Sequence, residues 1–214
     1  MGIVTIIISV VILIFSAILH EVAHGWVAEK LGDPTARLAG RLTLDPRKHI
    51  DPVFSILIPL LLIISGSPII FGGAKPVPVD EFNLKDGRKD MALVALAGPL
   101  TNIILAVIAT ILIKILGFLP LQTSALTNII FYFLDTIAVI NLLLAIFNLL
   151  PIPPLDGSKV FSLLLPNKQA QIYLSIGSIG SMIILFLLLF PIGGFSLENL
   201  IFNIFSFARS LLGI

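Results

Sequence analysis

His20, Glu21 and His24 form the sequence His-Glu-Val-Ala-His, and they follow a run without ionisable side chains that extends from Met1 to Leu19. In a helix, positions i and i+4 lie on one face, so the two histidines can bind one metal ion together. Glu21 is then placed to take a proton from a metal-bound water. Ionisable groups within membrane helices are costly and mark functional sites. The pattern therefore indicates a metalloenzyme site inside a bilayer.

The third ligand of such a site must come from elsewhere, because hydrolytic zinc takes three protein ligands and keeps a fourth position for water. The chain has no cysteine, and His49 is its one other histidine, which leaves mainly carboxylates. Asp156 is the leading candidate. Three prolines between positions 151 and 154 predict an irregular helix end, and Gly157 permits a turn that brings the carboxylate back. Its alternative interpretation is an ordinary turn aspartate before glycine.

Composition narrows the class of protein. Hydrophobic residues make up 57% of the 214 residues and charged residues 12%, which is about half the charged fraction of soluble domains. The mean hydropathy of +1.12 predicts a multi-pass membrane protein surrounded by lipid. A net charge of +1 gives no support for nucleic-acid binding. Without cysteine, disulfides, thiolate ligands and a cysteine nucleophile are excluded.

The elements that must position these residues are membrane helices. About 20 apolar residues cross a bilayer core, and the stretches that reach this length are 3–27, 91–117, 128–150, 170–191 and 196–213. We therefore predict an all-α integral membrane protein with about five transmembrane helices. It forms one domain over 1–214, with a catalytic core at about 1–160 and accessory helices over 170–214.

Charge predicts the orientation. Lysine and arginine cluster in three segments, namely 29–51, 75–90 and 157–168. The positive-inside rule places these segments in the cytoplasm, so the site should face the cytoplasmic side of the cell membrane. The apolar stretch 53–71 lies between two of them and contains Pro59, so we predict a re-entrant helix and loop that lines the active-site chamber.

Two segments on the predicted cytoplasmic side have patterns that predict short β-strands. Residues 36–44 alternate between apolar and polar or small side chains, a period of two. Residues 75–79 carry proline at alternate positions and can pair only along the edge of Lys75, Val77 and Val79. A transmembrane substrate must unwind to be cut, and strand addition to this edge is our hypothesis for how it is held.

The two metal-site motifs together resemble the site-2 protease family of intramembrane zinc metalloproteases, in its compact prokaryotic branch. That family pairs HExxH with a later N-x-x-P-x-x-x-L-D-G motif. Segments 73–79 and 97–102 are similar to the same branch, and we recognise no PDZ or CBS module. The second motif is matched here by Asn148, Pro151, Leu155, Asp156 and Gly157.

The resemblance implies that one Zn²⁺ is bound by His20, His24 and Asp156, with Glu21 as the general base. It also implies that Asn148 helps hold the backbone of the substrate, a transmembrane protein cut in or near its membrane segment.

Other interpretations stay open. The same cluster could serve a divalent-metal carrier, or a non-catalytic membrane chaperone built on the protease scaffold. Asn148 itself could simply hydrogen-bond a neighbouring helix. We interpret Asn102 and Asn141 as helix-packing residues and His49 as an interfacial loop residue.

Overall fold

The computed structural model describes residues 2–52, 74–120 and 124–214, together with the single positions 57, 61 and 64. Short 3-10 turns occur at Pro46–Lys48 and Glu81–Asn83. The α-helices in these ranges are α1 Ile3–Leu31, α2 Thr35–Leu38, α3 Arg88–Phe118, α4 Ala125–Asn148, α5 Asp156–Ser162, α6 Asn167–Ser175, α7 Gly177–Leu189 and α8 Leu197–Leu212.

Three of the described helices, α1, α3 and α4, are long and apolar enough to cross a membrane. They have 29, 31 and 24 residues, and even the shortest rises about 36 Å, which exceeds a hydrocarbon core of about 30 Å. The prediction of an all-helical membrane protein is therefore confirmed.

The count of five transmembrane helices is not supported. The predicted span 170–191 is broken into α6 and α7, which meet at an angle of 69° and could cross only as a bent pair. Helix α8 has 16 residues and rises only about 24 Å, less than a hydrocarbon core.

Contacts between side chains define the directions of the three long helices. Near the start of both α1 and α4, Ser9 Oγ lies 3.3 Å from Tyr132 Oη. Further along both helices, Asn141 Nδ2 donates to Ser16 Oγ over 2.9 Å. Helices α1 and α4 are therefore parallel. Their carboxyl-terminal ends therefore reach the same side of the bundle.

Helix α3 runs antiparallel to its two neighbours and packs between them. Its residues 94 and 102 contact His24 and His20 of α1 in reverse order. Further along, Ala106 of α3 packs in one apolar cluster with Leu142 of α4. Because α3 contacts both α1 and α4, it is the element against which the site is built.

The predicted strand over 36–44 is wrong. Residues Thr35–Leu38 form the short helix α2, and the Asp33 carboxylate accepts the Thr35 N–H over 3.0 Å at its start. Gly40 then adopts a φ of +62°, and the Arg41 N–H donates back to the Ala36 carbonyl over 2.9 Å. Aspartate and proline before a short helix are common start signals, and here they outweigh the alternating pattern.

Residues 75–79, the second predicted strand, have no regular secondary structure and form no ladder with the residues that the structure describes. The predicted re-entrant segment 53–71 lies outside the described residues, apart from three isolated positions.

Candidate metal centre

Three potential ligand atoms from α1 and α5 converge on one point. Nε2 of His20 lies 3.0 Å from Nε2 of His24. Oδ2 of Asp156 lies 3.2 Å from the first nitrogen and 3.1 Å from the second. The side chains are buried, with relative exposures of 6%, 8% and 8%. The structure thus brings together three predicted residues, although 136 positions separate His20 from Asp156.

The elements explain this convergence. The histidines lie one turn apart on α1, and Asp156 is the first residue of α5. A tight turn joins α4 to α5, and a Cβ at Gly157 would lie 2.1 Å from the Leu149 carbonyl oxygen. Because no side chain fits there, only glycine lets α5 begin so close to the end of α4.

The outer nitrogens of both imidazoles are held by α3. His24 Nδ1 lies 2.7 Å from the Val94 carbonyl oxygen, which can only accept, so Nδ1 carries the proton. His20 Nδ1 lies 2.5 Å from Asn102 Oδ1, an acceptor as well. In the neutral form of each ring, the Nε2 lone pair then faces the Asp156 carboxylate. Three buried acceptors this close together need a proton or another cation between them, and a metal ion can fill that role.

The distances fit zinc. Bonds of about 2.0–2.1 Å in a tetrahedral site place neighbouring ligand atoms about 3.3 Å apart, close to the 3.0 to 3.2 Å observed. Two imidazoles and one carboxylate are also the donor set of one class of hydrolytic zinc sites, in which the fourth position is open to water. His20, His24 and Asp156 can therefore hold a metal ion together.

Gly98 of α3 closes one side of this group. A Cβ at this position would lie 2.5 Å from Nε2 of His20 and 2.5 Å from Nε2 of His24. The backbone of α3 therefore contacts the two imidazoles directly, and no side chain can be added there without displacing both.

Glu21 is oriented by the segment that follows residue 73. Its Oε2 accepts the Val77 N–H over 2.8 Å. Oε1 accepts no hydrogen bond from the residues that the structure describes, so one carboxylate oxygen is anchored while the other can exchange a proton.

The same contact changes the strand-addition hypothesis. The Val77 N–H bonds Glu21, and the Lys75 N–H donates to the His49 carbonyl over 2.7 Å. The Lys75 carbonyl in turn accepts from Arg41 over 2.7 Å. The edge that we predicted to be free is thus used inside the protein, and a substrate strand at that edge would have to displace these bonds.

Asp33 anchors the far end of this segment to α1. Its buried carboxylate accepts the Asp80 N–H over 2.8 Å and the Asn83 side-chain amide over 2.9 Å. Burial by itself raises the pKa of Asp33, but donors led by the Thr35 hydroxyl outweigh it and hold the pKa below its ordinary value. Asp33 therefore acts as a carboxylate, and it stabilises the contact between the end of α1 and residues 80–83.

Two further residues adjoin the metal group. Lys159 Nζ lies 3.4 Å from Asp156 Oδ1, which leaves the other carboxylate oxygen, Oδ2, for the histidines. Asn148, the predicted substrate-binding residue, ends α4, and its amide donates to the Leu144 carbonyl over 3.0 Å. Its role toward substrate stays a prediction.

Sequence reasoning missed two contacts with the site. Asn102, interpreted as a packing residue, bonds the His20 ring, and Gly98 contacts both imidazoles. Their spacing of four residues places them on one face of α3, and that signal could have identified them. His49 is buried, with a relative exposure of 2%, and its Nε2 lies 2.8 Å from the Thr43 carbonyl oxygen.

Comparison with known proteins agrees with this geometry. A family model described as peptidase family M50 matches residues 8–123 and 112–191. "Putative zinc metalloprotease YwhC" of Bacillus subtilis is 38% identical over 189 residues, which cover 88% of this chain and 83% of that protein.

Two further relatives share about two thirds of this chain. "Putative zinc metalloprotease Rip2" of Mycobacterium tuberculosis is 35% identical over 66% of this chain, and the match spans 51% of that protein. "Putative zinc metalloprotease MJ0611" of Methanocaldococcus jannaschii is 35% identical over 67% of this chain and 63% of its own length. No solved structure matches the chain.

Proposed function

This chain belongs to peptidase family M50, and we propose that it is an intramembrane zinc metalloendopeptidase. It hydrolyses peptide bonds in or near the transmembrane segments of membrane proteins. The observation that carries this proposal is the convergence of two imidazole nitrogens and one carboxylate oxygen within 3.0 to 3.2 Å of one another. The two histidines lie on α1, which is long enough to cross a membrane, and Asp156 begins the short helix α5 that follows α4.

His20, His24 and Asp156 would bind one Zn²⁺. When bound, zinc polarises a carbonyl and lowers the pKa of water to about 7, so that hydroxide is available at neutral pH. The protein residues orient this chemistry. Val94 and Asn102 hold the outer nitrogens of the two rings, and burial of the ligands limits access of bulk water.

Glu21 is the proposed general base. The Val77 N–H holds one oxygen of its carboxylate, and the other oxygen accepts the proton of the attacking water. The same oxygen then returns that proton to the leaving amine, which prevents re-formation of the peptide bond. In this proposal the half-buried Asn148, at the end of α4, contributes its free amide hydrogen or oxygen to the substrate backbone.

The proposed site faces the cytoplasm of a multi-pass cell-membrane protein. The parallel helices α1 and α4 both end near the ligands, and the basic segments 29–51, 75–90 and 157–168 adjoin those ends. Lysine and arginine next to membrane helices favour the cytoplasmic side.

Substitution of Glu21 by glutamine tests the assignment. Glu21→Gln should still bind one zinc per chain in detergent but should lose cleavage of a labelled single-span reporter protein by about 10²–10⁴-fold. Glu29→Gln is the matched control, because this acid lies on the same helix but pairs with Arg37. Asp156→Ala should lose zinc. Zinc content by elemental analysis and cleavage by gel assay measure both effects.

Three outcomes would contradict the proposal. Cleavage by Glu21→Gln at the wild-type rate would remove Glu21 as the base. Zinc flux into vesicles by wild-type protein and Glu21→Gln alike, without cleavage by either, would favour a metal carrier. A wild-type protein that binds membrane proteins but cuts none would favour a chaperone.

A further inference from the structure

A buried chain of hydrogen bonds, here called the amide chain, links His20 to all three long helices. Asn102 contacts His20 Nδ1 through Oδ1 over 2.5 Å, and its Nδ2 donates to Asn141 Oδ1 over 2.8 Å. Asn141 Nδ2 donates to Ser16 Oγ and to the Ile137 carbonyl, each over 2.9 Å. Both asparagines have a relative exposure of 0%, so no bulk solvent can substitute for these partners.

The direction of every bond in the amide chain follows from its far end. The Ile137 carbonyl can only accept, so the Asn141 atom next to it must be the NH₂ group. The Asn141 oxygen then faces Asn102, which must present its own NH₂ group there. The Asn102 oxygen is left for His20. Nδ1 of His20 must therefore carry a proton, and in the neutral ring Nε2 then keeps its lone pair.

We propose that Asn141 is a positioning residue for the metal centre. It touches no ligand atom, yet through Asn102 it holds His20 in the tautomer whose Nε2 can bind a metal. The inference rests on the proposed zinc site, although not on peptide cleavage. Ser16 lies one turn before His20 on α1, so the amide chain leaves α1, passes through α3 and α4, and returns to α1.

The role of Asn141 depends on the two-fold ambiguity of an amide. Without Asn141, nothing among the described residues would prevent the Asn102 amide from rotating by half a turn. Its NH₂ group would then face Nδ1 and favour the tautomer that carries the proton on Nε2, which cannot bind zinc. Partners of metal-binding histidines typically contribute 10–100-fold to metal affinity, and we expect Asn141 to fall in about this range.

A double substitution separates orientation from packing. Asn141→Ala should weaken zinc binding about 10–100-fold, measured by competition with a chromogenic chelator in detergent. Adding Asn102→Asp should restore most of that loss, because both oxygens of a carboxylate accept and rotation no longer matters. In the presence of Asn141 the same Asn102→Asp change should weaken binding, because it places two acceptors against each other.

Controls keep the test independent of stability and of the proposed function. Thr136→Ala removes a different buried polar group of α4, a hydroxyl that donates within the described residues to the Tyr132 carbonyl of its own helix, and should leave zinc affinity unchanged. Asn141→Leu repeats the test without opening a cavity. Wild-type protein that binds no zinc would refute the zinc site itself. Wild-type affinity in Asn141→Ala and Asn141→Leu, or no recovery in Asn102→Asp/Asn141→Ala, would refute the role of Asn141 alone.

Discussion

Substitution of Gly98 by alanine should weaken metal binding at least about 100-fold while α3 still forms. Gly98 lies within α3, directly before Pro99. Alanine is the better helix former by about 0.5–1 kcal/mol, but a Cβ before proline disfavours the helical conformation, so we expect no gain in local stability. The added methyl group would also lie 2.5 Å from Nε2 of His20 and 2.5 Å from Nε2 of His24.

The size of the conflict follows from these distances. A comfortable non-bonded contact of a carbon atom is about 3.5 Å, so each imidazole would have to retreat by about 1 Å. Metal–ligand distances tolerate deviations of only about 0.2 Å. Because both rings meet the same methyl group, neither can bind in its present position, and we expect zinc affinity to fall at least about 100-fold, the upper end of losses for altered metal surroundings.

Zinc content by elemental analysis and chelator competition measures this loss, and a thermal unfolding curve of zinc-free protein measures the fold. Gly117→Ala is the matched control, since it lies on the same helix with nothing within 4 Å of its added Cβ. If Gly98→Ala bound one zinc with wild-type affinity, the position of α3 against the two histidines, and the reasoning built on it, would be wrong.

Two other substitutions test how the segment over 75–80 is held, at Val77, which bonds Glu21, and at Asp33, which bonds Asp80. Val77→Pro removes the N–H that anchors the Glu21 carboxylate and should lower the cleavage rate at least about 10-fold, whereas zinc content and the rate of Val77→Ala stay near wild type; equal rates for both variants would contradict the anchoring role. Asp33→Asn replaces one accepting oxygen of Asp33 with an NH₂ group, which would then face hydrogen-bond donors. The substitution should therefore destabilise the protein by about 1–3 kcal/mol. Because the pKa of Asp33 is below its ordinary value of 3.8, this difference should be complete above about pH 5 and vanish as the pH falls through the lowered pKa; a difference in thermal unfolding midpoint that persists unchanged in acid would oppose this account.

The metal group could be predicted from the sequence because each step depended on a local rule. The spacing of His20 and His24 places both on one helix face. The absence of cysteine, with one other histidine in the chain, directed attention to a carboxylate. Prolines after α4 and Gly157 then indicated a turn at Asp156. Helix period, ligand chemistry and turn chemistry all agree at this site, and the structure joins these three residues.

The errors have different causes, a tertiary contact in one case and a local hydrogen bond in the other. The span predicted over 170–191 bends because α7 packs against the turn that contains Pro153 and Pro154. A Cβ at Gly180 of α7 would lie 1.9 Å from the Pro153 carbonyl oxygen. Hydropathy alone contains no information about that contact. The strand predicted over 36–44 failed because a pattern of alternating side chains cannot register the hydrogen bonds that Asp33 makes at the start of α2.

The order of the ligands along the chain has a consequence for biosynthesis. A ribosome delivers His20 and His24 to the membrane first, and Asp156 emerges 136 positions after His20. Until α5 has been translated and docked, a nascent chain carries only a two-coordinate histidine pair, which holds zinc weakly. In the proposed zinc peptidase the third ligand would be in place only once α5 has been made, so we expect no cleavage of neighbouring proteins during the earlier stages of synthesis.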